Sequence, residues 1–253
     1  MPDHPKPRLP EGPPIAEVML EVEFTWRERP SWDPSYVGGF FTRIQAGYPT
    51  MEPRVEQGVE LQRQGDTLVT RVLPPQPRTL FRSRAGDRVV QLMQGRVVLN
   101  VLPPYPGWAK VKGEMGEVWK TLKEVVPLTK ASRLGLRYIN KLARTGEGDV
   151  LGRWLHKSPY LSDSVLSARG EFSSNVRIAQ TPSEEVQVTL ARSPPGKDAR
   201  YGTFVFDIHR AHRVLDEGTS ILSAFDTLHE GVREIFDATQ ESPSQRLNTP
   251  RPP

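Results

Sequence analysis

An α+β protein of two similar halves, each a curved antiparallel sheet covered by a long helix, is the fold class that this chain predicts. Three observations lead there. Residues 15–24 alternate strictly, with Ala16, Val18, Leu20, Val22 and Phe24 on one side and Glu17, Glu21 and Glu23 on the other. A second alternating stretch at 133–142 sets Leu134, Leu136, Tyr138 and Asn140 against Arg133, Arg137 and Lys141. Each of these leading strands is followed by a short helix, several strand-like runs and a long amphipathic helix. The pattern repeats without a visible repeat of residues.

The elements follow in order. Residues 34–45 carry Tyr36, Val37, Phe40, Phe41 and Ile44 at helical spacing, although Gly38 and Gly39 weaken that helix. Short strands are expected at 58–63, 67–73 and 79–84. A hairpin follows, 88–94 and 96–102, turning at Gly95. A proline-rich link leads to a helix at 114–126 with the stripe Met115, Val118, Trp119, Leu122 and Val125 or Val126, and Pro127 ends it. In the second half the strand at 133–142 precedes a short helix near 150–156. Strands near 164–172, 175–181, 185–192 and 201–209 come next. The last helix, 220–239, aligns Leu222, Phe225, His229, Val232, Ile235 and Phe236. The boundaries are 13–127 and 128–241 for the halves, with polar, proline-rich tails at 1–12 and 242–253 read as flexible. If the halves meet along their leading strands, the glutamates of the first pair with the cations of the second.

Composition excludes several classes. The chain has 253 residues, 36% hydrophobic and 25% charged, with 25 prolines and no cysteine. Thiolate zinc sites, Fe–S clusters, disulfides and cysteine nucleophiles are therefore out. No apolar run reaches the roughly 20 residues of a membrane helix, and the N-terminus MPDHPKPRLPEG has no signal-peptide core. A cytoplasmic protein is the expectation. Phosphate-binding loops of the P-loop or dinucleotide type, a serine nucleophile elbow and the H-E-x-x-H zinc motif are all absent.

Charge is unevenly placed although the net is only +4. Between Thr67 and Gly113 the one acid is Asp87, against Arg71, Arg78, Arg82, Arg84, Arg88, Arg96, Lys110 and Lys112. With Tyr105 and Trp108 nearby, this stretch is a candidate basic surface. Guanidinium groups fork onto carboxylate or phosphate, and exposed rings stack on bases. The same arginines also serve as solubilising charges on edge strands.

Other candidates are smaller. Asp207, His209 and His212 have ligand types that suit zinc, iron or manganese, provided His212 turns toward the other two beyond the strand end. No cofactor is predicted beyond that divalent metal. His229, on the apolar stripe of the last helix, defines with Arg137 and Tyr138 a pocket beneath the helices, or else is a core histidine bonded to its sheet. His4 and His156 have no such company. Glu21 and Glu23 stand two apart on a strand, a spacing that overlaps that of inverting glycosidases but is also that of an ion-paired strand face.

Several strings taken together, PPIAEV at 13–18, GYP at 47–49 with Glu52, NVLPPYPGW at 100–108, RLGLRYIN at 133–140 and LHE at 228–230, resemble a sporadically distributed, uncharacterised bacterial and archaeal family. That family is marked by an N-terminal PPI-x-E-V strand and a central GLRYIN strand, and the resemblance covers about residues 13–240. It implies no activity, cofactor or catalytic residue. Its patchy distribution implies a setting on mobile or defence-related islands.

The leading expectation is thus a non-catalytic binding or regulatory protein acting through a protein partner. The alternatives are a nucleic-acid binder using the arginines of 71–96, or a small-ligand or metal-binding protein or enzyme with a pocket under the helices. If nucleic acid binds the basic stretch, affinity in a gel-shift assay falls steeply with salt, and Arg82→Glu with Arg84→Glu abolishes it without unfolding the chain.

Overall fold

A computed structural model of the chain describes residues 15–26, 32–56, 59–64, 67–72, 76–144, 146–194, 202–213 and 220–240. The tails expected at 1–12 and 242–253, with His4 in the first, lie outside the described residues.

The element order is β1 (Ile15–Trp26), α1 (Ser35–Ile44), β2 (Thr50–Glu56), β3 (Val59–Gln64), β4 (Thr67–Val72), β5 (Gln76–Arg82), β6 (Arg88–Met93), β7 (Arg96–Val101) and α2 (Trp108–Val125). It continues with β8 (Leu128–Ala143), a single 3-10 turn (Leu151–Arg153), α3 (Asp163–Leu166), β9 (Ser173–Thr181), β10 (Glu184–Ser193), β11 (Thr203–Arg213) and α4 (Ile221–Gln240). The fold is α+β. Nine strands form one large antiparallel sheet in the order β2-β5-β6-β7-β1-β8-β11-β10-β9, and β3 with β4 forms a separate two-stranded ribbon. Among the described residues no helix is long and apolar enough to cross a membrane.

Three local expectations are corrected, and one strand is added. The strand expected at 164–172 is replaced by α3, because Ser162 accepts a hydrogen bond from the Val165 N–H and caps a helical turn there. The helix expected at 150–156 is reduced to the 3-10 turn. Helix α2 starts six residues before the expected 114. Gly107, at φ 94°, supplies a backbone turn that other residues rarely adopt, and Val111 carries the buried stripe back one turn from Met115. Strand β2 escaped prediction because Pro53 interrupts its pattern and its apolar residues are exposed.

Backbone contacts group the described residues into two compact units. One holds 19–134; the other holds β1 up to Val18 and everything from Gly135 onward. In the first unit, Val18-type alternation continues through Leu20, Val22 and Phe24, all buried. Phe24 meets Trp119 of α2 at 6.1 Å between ring centroids, and Phe81 of β5 meets Phe40 and Phe41 of α1 at 5.4 and 5.9 Å. Helices α1 and α2 therefore cover one face of these strands. Phe40 and Phe81, the two fully buried rings of this group, each contribute about 3–5 kcal/mol, judged by the usual cost of truncating them.

In the second unit α4 packs on one face of β11 and reaches β8 on the same side through Tyr138 and His229. Phe206 stacks on Phe236 at 5.9 Å, and Phe225, Leu228, Val232 and Ile235 are buried. The buried stripe is rotated from the expected one, with Leu222, His229 and Phe236 half-buried at its margin. Asn140, buried on the same face, donates to the Phe206 carbonyl at 3.1 Å. Arg210 lies against α4 at Gly231, bonded to Gln180 at 2.9 Å and 3.6 Å from Glu184. A Cβ at position 231 would overlap its guanidinium.

Two glycines in helix interiors should therefore respond oppositely to alanine. Gly113→Ala, where a Cβ meets nothing within 4 Å, should stabilise the protein by about 0.5–1 kcal/mol through helix propensity. Gly231→Ala should instead destabilise by about 1–3 kcal/mol, because Arg210 must leave its partners. Denaturant unfolding midpoints of the two variants compare them directly.

Candidate functional site

In a two-layer arrangement, every second residue of each strand faces away from the helices. In the unit of residues 19–134 these residues are tied by charge. Glu21 and Glu23 of β1 both meet Arg96 of β7, at 3.6 and 3.1 Å, and Arg133 of β8, at 2.6 and 3.4 Å. The expected glutamate–arginine match between leading strands is realised at Arg133. The closed set of two carboxylates and two guanidiniums also accounts for the Glu21/Glu23 spacing without catalysis. Farther along the same face, Glu52 of β2 bonds Arg54 at 3.1 Å and Arg82 at 2.9 Å, and these two cations hold its carboxyl below the usual range.

The stretch that is basic in sequence is divided in space. Arg78, Arg82 and Arg96 face away from the helices, since their register partners Met93, Val89 and Met93 share that side. Arg78 bonds Gln91 at 3.2 Å, and Gln91 in turn donates to the buried Asn100 at 2.6 Å. Arg88 lies on the helix side and is 13% exposed. Arg84 is exposed in the turn after β5, and Arg71 belongs to the β3–β4 ribbon, its side chain outside the described residues. Tyr105 and Trp108 are half-buried at the start of α2. Three of the arginines, Arg82, Arg88 and Arg96, already face carboxylates.

Arg88 belongs to a network that the sequence did not disclose. Its Nε reaches Glu114 of α2 at 3.2 Å, and its Nη1 reaches Asp87 at 3.1 Å. The buried Tyr48 hydroxyl, in the GYP turn after α1, donates to the other Glu114 oxygen. Burial, then the Glu114 carboxylate, pushes the Tyr48 phenol far above its ordinary value. The network ties the α1–β2 turn, α2 and β6 together. The GYP string was the one legible trace of it.

The proposed pocket residues separate. Tyr138 and His229 do meet, hydroxyl to Nδ1 at 3.1 Å, on the α4 side of the sheet. Arg137, the preceding residue on an extended strand, necessarily faces the other way. It forks onto Asp207 of β11 at 2.9 and 2.6 Å, and Asp207, with a smaller push from Glu17, raises the guanidinium further. The metal candidates separate for the same reason. Strand β11 runs on to Arg213, so Asp207 and His209 share the face with Arg137, while His212 stays in the strand on the α4 side, in register with Glu184. Among the described residues no group of three metal-ligating side chains converges.

What remains is the edge of the sheet, where backbone direction matters more than side chains. The two outermost strands in the sheet order are β2 and β9. Ser83 N–H donates to the Arg88 carbonyl at 3.0 Å, which makes 83–88, 81–90 and 79–92 the close pairs of β5 with β6. By alternation Arg78, Leu80 and Arg82 turn their backbone groups to β2, and Met51, Pro53 and Val55 turn theirs outward. Pro53 thus puts the missing N–H on the open side. At the other end, Arg192 N–H donates to the Phe172 carbonyl at 3.1 Å. Ser174, Val176 and Ile178 therefore bond to β10, and Ser173, Asn175, Arg177 and Ala179 present N–H and C=O outward. No proline interrupts that outer row, its one charged residue, Arg177, pairs back to Glu185 of β10 at 2.7 Å, and among the described residues no strand pairs with it. Sequence reasoning missed these four residues because alternation marks a strand but not its place in a sheet.

No protein-family model matches the chain, and no curated protein matches it in sequence. The likeness carried by PPIAEV and GLRYIN accordingly brings no residue role with it.

The Tyr48 network has a pH signature. The folded state favours the neutral phenol, so its contribution is complete below the unfolded value of about 10 and is lost as pH rises beyond it. Unfolding free energy of the wild type should fall more steeply above about pH 10 than that of Tyr48→Phe, and the difference absorbance titration of the two should show one phenol ionising late.

Proposed function

We propose that this is a binding protein without catalytic machinery, acting in the cytoplasm by taking an extended segment of a protein partner onto the outer edge of β9. The observation that carries the reading is the contrast between the two ends of the sheet. At β2, proline sits at an outward backbone position, a recognised way of blunting an edge. At β9, four consecutive outward positions, Ser173, Asn175, Arg177 and Ala179, keep both backbone groups. An edge of this kind gives affinity through main-chain hydrogen bonds and specificity through alternate side chains.

Two further features support it. The order of strands is alike in the two halves of the chain: β1 lies next to β7 and then runs back through β6, β5 and β2, while β8 lies next to β11 and then runs back through β10 and β9. We read this as one strand–helix–strands–helix plan used twice, with one edge closed and the other kept open. A mobile or defence-related island, the setting that the family resemblance implies, would place the partner's gene nearby. The nucleic-acid alternative draws on cations of which Arg82, Arg88 and Arg96 are already neutralised by acids.

The test uses proline at outward positions, where no ladder hydrogen bond is lost. Asn175→Pro and Arg177→Pro should each cost no more than about 1–2 kcal/mol in unfolding free energy. Both should nevertheless lose the partner that copurifies with the wild type from the native host. A partner retained undiminished by both variants overturns the proposal.

A further inference from the structure

We infer that the segment accepted by β9 has an apolar–acidic–apolar core, its carboxylate placed opposite Arg177 and its apolar side chains beside Val176 and Ile178. The inference rests on the edge reading above and adds the chemistry of the partner.

The two faces of β9 differ. Ser174, Val176 and Ile178 point to the side of the sheet that α4 covers, and all three are half-buried although β9 is outermost. A neighbouring strand would place its own side chains against them and complete their burial. Apolar, β-branched residues fit such cross-strand positions best.

On the other face Ser173, Asn175, Arg177 and Ala179 are exposed. Asn175 is turned inward, its Nδ2 donating to Thr189 at 2.8 Å. Arg177 also reaches inward, with one nitrogen, Nη2, 2.7 Å from Glu185. Its side chain is nonetheless 66% exposed. A guanidinium carries five N–H donors in a planar fork. Among the described residues its one acidic partner is Glu185, and the rest of the fork belongs to a side chain that is largely open to solvent. A carboxylate opposite Arg177 on an added strand gains a second charge-assisted bond on the same guanidinium. A lysine or arginine there meets like charge directly opposite, which is unfavourable. On an added strand, the residues before and after the acid fall on the side of Val176 and Ile178. The period of the sheet thus links the two requirements into one tripeptide pattern.

The probes are two synthetic nonapeptides, Ser-Val-Thr-Val-Glu-Val-Thr-Val-Ser and the same peptide with a central Lys, both N-methylated along one edge to prevent stacking on themselves. Binding to the full chain is read by titration and by hydrogen exchange of the amides of Ser173, Asn175, Arg177 and Ala179. The Glu peptide should protect these amides and bind roughly tenfold more tightly than the Lys peptide, and Arg177→Ala should close that gap. Equal binding of the two peptides, with protection at the same amides, overturns the acidic preference and leaves the edge reading standing. If neither peptide protects the edge, the inference falls, and the proline variants then decide the edge reading by themselves.

Discussion

In each unit, strands covered by helices on one face must settle the charges that alternation sends to the other. Here that is done by carboxylate–guanidinium pairing across neighbouring strands: Glu21 and Glu23 with Arg96 and Arg133, Glu52 with Arg82, Asp207 with Arg137, and Glu185 with Arg177. Partly exposed pairs of this kind contribute little each, typically below about 1 kcal/mol. Their importance lies in register. A slip of one residue in β1 would turn Glu21 and Glu23 toward Trp119 and the rest of the helix layer, and would send Leu20 and Val22 outward. The ion pairs and the apolar contacts thus specify the same alignment.

The helix side carries the larger energies and a few deliberate polar insertions. Phe81 between α1 and its sheet, and Phe206 against α4, are the anchors. Tyr48, Arg88 and Glu114 form one satisfied network at the foot of α2; Asn140, Tyr138 and His229 serve the sheet beneath α4. Each of these groups has a protein partner, as buried polar atoms require. Side-chain chemistry is in this way turned inward over much of the molecule. At the outer row of β9, by contrast, main-chain groups are turned outward.

Much of the first level was legible. Period-2 patterns located β1 and β8, the turn at Gly95 located the β6–β7 hairpin, and period-3.6 stripes located α2 and α4, because burial on one face leaves its mark on consecutive residues. The failures have equally local causes. Pro53 and exposed Val55 disguised β2. Ser162 turned an expected strand start into a helical cap. The histidine–aspartate trio looked convergent only on the assumption that β11 ended before His212.

By itself the sequence determined the classes of chemistry that the lack of cysteine and nucleotide-binding motifs removes, the strands and helices with strong periodicity, and the charged face of β1. Tertiary structure alone decided which strands became neighbours and which became edges. The basic run of 71–112 shows why. Its cations are adjacent along the chain, yet pairing and alternation sent Arg82 to Glu52, Arg88 to Glu114 and Arg96 to Glu23. Ion pairing and backbone hydrogen bonding are short-range in space and indifferent to distance along the chain. No local pattern can therefore reveal that an arginine is already neutralised, or that among the described residues no strand meets the outer N–H groups of β9.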